Sequence, residues 1–67
     1  MIELVINGER RSFPAPLTLS QLIGTLDMAG KRIAIEKNGE IVPRSRHAET
    51  ALVQGDRLEI VVAVGGG

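Results

Sequence analysis

Hydrophobic and polar positions alternate with a period of two in several short stretches of the chain. The first stretch runs from Ile2 to Ile6 and is followed by Asn7-Gly8. Asn-Gly is a strong signal for a two-residue hairpin turn, because both residues tolerate positive φ. We therefore predict a returning strand over residues 9–13, whose polar composition suits a sheet edge that resists strand addition.

A helical period replaces the alternation after Thr18. Thr18 and Gln21 have the spacing of a capping box, in which each side chain bonds the backbone amide of the other. The apolar residues that follow are spaced i, i+3, i+4 and i+7, which places them on one helical face: Leu19, Leu22, Ile23 and Leu26. We expect Gly30 to end this helix.

A second hairpin and a long final strand complete the pattern. Residues 33–37 alternate and are followed by Asn38-Gly39 and a short return that Pro43 closes. Residues 44–52 show no clear period, so we predict a loop with one helical turn. The last strand is predicted from Arg57 to Val64, and its second half is apolar on both faces, which is typical of a central strand.

This order of elements predicts an α+β fold. Neither hairpin can bury its apolar face alone, so the helix should pack on one face of a mixed sheet of four to five strands. With the last strand beside the first, the arrangement is a β-grasp, or ubiquitin-like, roll. We expect one domain over residues 1–64 and a flexible glycine tail over residues 65–67. The predicted core positions are Leu4, Leu22, Leu26, Leu58 and Ile60.

Composition limits the functions that are open to the chain. Its 67 residues include no cysteine and one histidine, which excludes a disulfide and argues against a zinc site. Eight acidic residues balance eight basic ones, and Phe13 is the only aromatic residue, so nucleic-acid binding is not expected. There is no apolar run of membrane-spanning length and no signal-peptide pattern. We therefore expect a cytoplasmic protein without membrane association.

The side chains offer no recognisable catalytic motif. His47 is the only imidazole, and its neighbours do not form a nucleophile motif, so a packing or surface role is the simpler interpretation. Arg44 and Arg46 have the charge to bind an anion, but we favour the interpretation that they belong to a solvated charged loop. We expect the chain to be no enzyme of its own, with no metal site and no bound cofactor.

The chemistry is predicted at the glycine tail. Val64 is followed directly by Gly65, Gly66 and Gly67, and three extended residues span roughly 10 Å. Bare backbone fits a slot that excludes side chains, and the α-carboxylate of Gly67 is ionised at neutral pH. A carboxylate is a poor electrophile, whereas an acyl-adenylate formed with ATP has a good leaving group. Because the chain has no thiol, a partner would have to supply any sulfur.

Three segments of the chain resemble the ThiS family of sulfur carriers in thiamine biosynthesis. They are Asn-Gly-Glu-Ile-Val-Pro-Arg-Ser at 38–45, Gly-Asp-Arg-Leu-Glu-Ile-Val at 55–61 and Ala-Val-Gly-Gly-Gly at 63–67. The resemblance extends over nearly the whole chain and includes Asn7-Gly8-Glu9. It departs from the family at His47, where an aromatic residue is often found.

The resemblance implies a reaction sequence on Gly67. A ThiF-type adenylyltransferase would use ATP and magnesium to form an acyl-adenylate, and a cysteine-derived persulfide would convert it to a thiocarboxylate. A ThiG-type thiazole synthase would then take the sulfur into the thiazole ring. Two alternatives stay open at this point: a sulfur carrier for molybdopterin synthesis, and a ubiquitin-like modifier or binding module whose tail is conjugated to lysine or inactive.

A partner-binding surface is predicted next to the tail. Val5, Val61 and Ala63 are out of phase with the core positions of their strands. If the two strands adjoin, these residues should form an apolar patch on the sheet face opposite the helix, and such a patch suggests docking. The predicted partner contacts are Val5, Val61, Ala63, Val64, Gly65 and Gly66.

Overall fold

The computed structural model describes residues 1–63, which contain five strands, one α-helix and one 3₁₀ helix. The elements are β1 (Ile2–Ile6), β2 (Glu9–Phe13), α1 (Leu19–Thr25), β3 (Ile33–Lys37), β4 (Glu40–Ile41), the 3₁₀ helix (Arg44–Glu49) and β5 (Arg57–Val62). The strand order is β2-β1-β5-β3-β4, with β5 parallel to β1 and antiparallel to β3. This confirms the mixed β-grasp sheet with the last strand in its centre.

Both Asn-Gly pairs form the predicted hairpin turns. Asn7 and Asn38 have φ of 50° and 52°, and the glycine after each has φ of 84° and 86°. Positive φ at both central residues is what a type I′ turn requires, and its twist matches that of the flanking strands. The first turn places β2 at one edge of the sheet, and the second places the two-residue β4 at the other edge.

The helix begins as predicted. The Gln21 amide donates to Thr18 Oγ1 at 3.2 Å, and the Thr18 amide donates to Gln21 Oε1 at 2.8 Å. These two bonds satisfy amides that have no partner inside the helix. The capping box therefore fixes the first turn of α1.

The end of the helix differs from the prediction, because α1 stops at Thr25 and not near Gly30. Asp27 takes a left-handed conformation with φ of 59°, and its amide donates to Gly24 O at 3.1 Å. The amide of Met28 donates to Ile23 O at 2.9 Å, which completes a Schellman motif. Aspartate reaches this conformation more readily than most residues, so the helix ends before the glycine.

The core lies between α1 and one face of the sheet. Of the five predicted core residues, Leu4, Leu22, Leu58 and Ile60 are buried. Leu26 is only half-buried, because it caps the helix where the prediction placed another turn. The other buried apolar residues are Ile6, Phe13, Leu17, Leu19, Ile23, Ile35 and Leu52.

Two further segments are corrected by the structure. Residues 44–52, predicted as a loop with one helical turn, contain the six-residue 3₁₀ helix, which is about two turns at three residues per turn. Backbone bonds from Leu19 N to Thr50 O and from Leu52 N to Leu17 O, both 2.9 Å, join this segment to the start of α1. The last strand, predicted from Arg57 to Val64, ends at Val62 within the described residues, and Val64 itself lies outside them.

Truncation of Leu58 and of Leu26 to alanine should separate full burial from half burial. We expect Leu58→Ala to lower the free energy of unfolding by roughly 2–5 kcal/mol, since it leaves a cavity in a closed layer. Leu26→Ala should cost about half as much or less, because its side chain already contacts solvent. Chemical denaturation of the two variants measures both values, and equal losses would contradict this description of the core.

Candidate functional site

The residue predicted to react, Gly67, lies outside the described part of the chain, as do Val64, Gly65 and Gly66. The strand that leads to these residues is β5. β5 is the central strand of the sheet, and Ala63 is the last residue that the structure describes. The hydrogen bonds along β5 set the position of Ala63.

On one side, β5 is bonded to β1. The amide of Val5 donates to Asp56 O at 3.0 Å, and the amide of Asn7 donates to Leu58 O at 2.9 Å. The parallel pairing aligns Val5 with Arg57 and then Ile6 with Leu58. The chain turns away at Asn7, so the backbone of β1 pairs only with the first half of β5.

On the other side, β5 is bonded to β3 along its whole length. The antiparallel pairing aligns Ile33 with Val62 and Ala34 with Val61. Beyond the strand, the amide of Ala63 still donates to Arg32 O at 2.8 Å. Within residues 1–63, the last part of β5 thus has a neighbouring strand on the β3 side only.

The side chain of Asn7 extends the β1 side beyond the backbone. Its Oδ1 accepts from the amide of Ile60 at 2.8 Å, and its Nδ2 donates to Ile60 O at 3.1 Å. In a continued parallel ladder, the peptide groups of β1 would make these two bonds. The carboxamide therefore takes the place of the next peptide of β1.

Asn38 makes a similar pair of bonds at the start of β5. Its Oδ1 accepts from the amide of Arg57 at 2.9 Å, and its Nδ2 donates to Asp56 Oδ1 at 3.0 Å. Asp56 is buried, and its other carboxylate oxygen accepts from the amide of Val53 at 2.9 Å. Each Asn-Gly turn thus contributes an asparagine side chain that holds the central strand.

The structure separates the residues of the predicted apolar patch. Val5 is half-buried and lies beside Arg57 on β5 and Arg10 on β2. Val61 is 63% exposed and lies four residues further along β5, about 13 Å away at 3.3 Å per residue. Val61 and Ala63 lie near each other at the end of β5, whereas Val5 belongs to a more basic part of the face.

We call the sheet surface opposite α1 the open face. Glu36 and Glu59 lie directly opposite each other on it, and both are exposed. Ile41, 75% exposed, pairs with Glu36 from β4. The open face therefore combines exposed apolar side chains with two adjacent carboxylates. It includes Val5, Arg10, Ala34, Glu36, Ile41, Arg57, Glu59 and Val61.

The two buried polar residues have structural partners. His47 is 5% exposed, and its Nε2 lies 3.1 Å from Val42 O. Asp56 is bonded to Asn38 and Val53, as described above. The sequence favoured a surface or packing role for His47, and its burial shows that it packs. Arg44 and Arg46 are exposed on the 3₁₀ helix.

Among residues 1–63, no group of three or more His, Asp, Glu or Cys side chains is arranged to hold a metal ion. Over this range, no helix has both the length and the apolar character needed to cross a membrane.

Sequence reasoning missed the asparagine side chains and the acidic pair. The Asn-Gly signal predicts the turns, but asparagine is common there for its backbone preference alone, so nothing in the pattern indicated that Asn7 bonds Ile60. Glu36 and Glu59 become neighbours only through the register of β3 with β5. The alternation of core and outward positions along β3 and β5 does predict that Glu36 and Glu59 lie on the open face.

Comparison with known proteins relates this geometry to a family. The family model described as "ThiS family" matches residues 4–67. A sulfur carrier protein ThiS of Bacillus subtilis (strain 168) is 36% identical over 50 residues, which are 75% of this chain and 76% of that protein. A thiazole synthase of Paramagnetospirillum magneticum is 48% identical over 66 residues. That match covers 98% of this chain, which spans about a fifth (20%) of the length of the synthase.

A solved structure is also similar. The crystal structure of a thiamine biosynthesis protein (ThiS) from Geobacter metallireducens superimposes with a TM-score of 0.83 at 28% sequence identity. The match covers 98% of this chain and 100% of that one. The five-stranded sheet with its helix is therefore the β-grasp fold of these proteins.

Replacing Glu36 by lysine should stabilise the domain. The change converts two like charges that lie directly opposite into an opposite pair, which we expect to raise the free energy of unfolding by roughly 0.2–1 kcal/mol. Glu49→Lys makes the same charge change on the 3₁₀ helix, away from the sheet, and serves as the control. Denaturation at low salt measures the difference between them. A Glu36→Lys variant no more stable than Glu49→Lys would contradict the repulsion.

Proposed function

We propose that this chain, which belongs to the ThiS family, carries sulfur for the biosynthesis of thiamine. The observation that supports the proposal is the family match over residues 4–67, which includes both the central strand and the glycine tail. The described fold supports it as well, because β5 runs through the middle of the sheet and leads directly to the tail.

The proposed reaction takes place at Gly67. A carboxylate oxygen of Gly67 attacks the α-phosphate of ATP, and pyrophosphate leaves. The terminal sulfur of a partner persulfide then attacks the acyl carbon and displaces AMP. A second thiol then attacks the partner's sulfur of the resulting acyl disulfide, forms a disulfide with it and leaves a thiocarboxylate on Gly67. In this scheme the chain is a protein-borne substrate, and its partners supply the catalytic groups, ATP and magnesium.

Three kinds of partner are needed by this scheme. A ThiF-type adenylyltransferase activates Gly67, a cysteine-derived persulfide provides sulfur, and a ThiG-type thiazole synthase accepts it. The similarity of this chain to part of a thiazole synthase supports the last of these. The requirement for ATP supports the cytoplasmic location expected from the sequence.

We propose that the adenylyltransferase docks on the open face near the end of β5. Val61 is exposed there beside Ala34, and Ala63 leads into the tail residues Val64, Gly65 and Gly66. Glu36 and Glu59 add negative charge to this apolar surface. The complementary surface of the partner should therefore combine apolar side chains with lysine or arginine.

Val61→Asp should weaken binding to the adenylyltransferase by roughly tenfold or more, because it places a charge in the apolar part of the contact. Val53→Asp is the matched control, since Val53 is 59% exposed on a loop outside the open face. Calorimetric titration gives both affinities, and circular dichroism checks that both variants fold. Equal affinities for the two variants would remove Val61 from the interface.

Glu36→Lys gives an independent test of the acidic part of this surface. It should weaken binding to the adenylyltransferase severalfold and reduce the salt dependence of the affinity, because an attractive charge is replaced by a repulsive one. The same variant is expected to be more stable than the wild type, so weaker binding cannot be attributed to unfolding. Unchanged binding would exclude Glu36 from the docking surface.

Changes in the tail should abolish the reaction without affecting the fold. Gly66→Val should react poorly, because its side chain must enter a slot sized for backbone. Deletion of Gly67 should prevent productive transfer, since the new carboxylate falls about 3.5 Å short of the reacting position. Gly24→Ala is the control, because a Cβ at Gly24 meets nothing within 4 Å and the position is far from the tail in sequence.

ATP–pyrophosphate exchange with the purified adenylyltransferase measures the first step. The mass of the chain after sulfur transfer measures the second, because a thiocarboxylate is heavier than a carboxylate by the difference between sulfur and oxygen. A conjugated modifier would give branched adducts instead. Rescue of thiazole synthesis in a strain that lacks its own carrier tests the pathway. Full exchange and thiocarboxylate formation by the Gly67 deletion would contradict the proposal.

A further inference from the structure

The last strand changes its hydrogen bonding shortly before the tail. Up to Ile60, β5 is bonded on both sides: to β3 on one side, and to β1 and the Asn7 carboxamide on the other. Residues 61–63 are bonded on the β3 side, through the pairing of Val61 and Val62 and the amide of Ala63. Ile60 is therefore the last described residue that is held from both sides.

We propose that Asn7 is a positioning residue that fixes the point from which the chain leaves the sheet toward Gly67. Its carboxamide holds both backbone polar groups of Ile60, the N–H at 2.8 Å and the C=O at 3.1 Å. The inference rests on the proposed function in one respect: the tail must be presented to the active site of a partner.

The consequence of losing this side chain follows from the register. Without it, the last bond from the β1 side is the one from the Asn7 amide to Leu58 O. In the wild type, within the described part of the chain, residues 61–63 are hydrogen-bonded on the β3 side only. Without the carboxamide, this singly bonded segment would begin at residue 59 and include residues 59–63. A longer singly bonded segment samples more directions, so fewer of its conformations deliver the tail correctly.

Reaction at Gly67 is sensitive to such a change. In-line attack on a phosphate needs the reacting atoms close to about 3–3.5 Å apart, and a small misplacement at a distance from the chemistry slows the step markedly. Docking of the open face does not depend on the Asn7 carboxamide, which bonds only the backbone of Ile60. Loss of the carboxamide should therefore lower kcat and leave KM for the carrier unchanged.

The second Asn-Gly turn provides a matched control. Asn7→Gly and Asn38→Gly each remove a carboxamide that makes two bonds to the β5 region. Both positions have positive φ, which glycine adopts without strain, so both turns should form. Asn38 acts at Asp56 and Arg57, at the opposite end of the strand from the tail. Both variants should lose stability, but only Asn7→Gly removes hydrogen bonds near the end of β5 that leads to the tail.

Amide hydrogen exchange followed by NMR tests the hydrogen bonds between Asn7 and Ile60 directly, without any partner. Asn7→Gly should speed the exchange of the Ile60 amide roughly tenfold, with smaller increases at Val61 and Ala63, since a net hydrogen bond is lost. Asn38→Gly should speed exchange at Arg57 and leave Ile60 unchanged after correction for global stability. Unchanged exchange at Ile60 in Asn7→Gly would overturn the proposal, whatever the function proves to be.

Steady-state adenylation tests the consequence for reaction. Asn7→Gly should lower kcat roughly three- to tenfold with KM unchanged, because only part of the loss of its two hydrogen bonds affects the reacting geometry. Asn38→Gly should leave both constants close to those of the wild type. Equal losses of kcat in the two variants would reduce Asn7 to a stabilising residue and overturn its positioning role. If the wild-type chain is not adenylated, the proposed function is contradicted instead. The exchange measurement would still show whether Asn7 restrains the backbone of Ile60.

Discussion

β5 lies between β1 and β3, and its hydrogen bonds to both strands join the two hairpins into one sheet. Neither hairpin contacts the other as a neighbouring strand, so the sheet exists only because β5 is inserted between them. Leu58 and Ile60 face α1 from this strand and are buried with Leu4 and Leu22. One strand thus closes the sheet, carries part of the core and leads to the tail, which links stability and the proposed chemistry.

Much of this fold could be predicted from local patterns. The alternation from Ile2 to Ile6, the two Asn-Gly pairs and the Thr18–Gln21 capping box each specify their own geometry within a few residues, and the structure confirms all three. The helix end could not be predicted in the same way. Gly30 is the stronger C-terminal signal in the sequence. In the structure, however, Asp27 precedes it in the left-handed conformation, and the Asp27 amide donates to Gly24 O. A pattern of residue types does not show which of two acceptable stops the chain uses.

The candidate site, too, could be predicted only in part from local patterns. Alternation correctly places Val5 and Val61 on the face opposite the core, but it does not give the register between two parallel strands. That register puts Val5 beside Arg57 and leaves Val61 with Ala34. The bonds of Asn7 to Ile60 join residues 53 positions apart, so they too depend on register. The glycine tail was the clearest chemical signal in the sequence, and it lies outside the described residues.

The parallel pairing of β1 with β5 also separates the two ends of the described chain. Val5 is level with Arg57, so Met1 lies four residues to one side of that level and Ala63 six residues to the other. At 3.3 Å per residue, these ten steps amount to about 33 Å along the strands. Anything attached covalently ahead of Met1, such as an affinity label, a surface tether or a fused domain, therefore joins at the far end of the sheet. A chain immobilised in this way leaves the end of β5, where we propose that the adenylyltransferase docks, accessible to a partner.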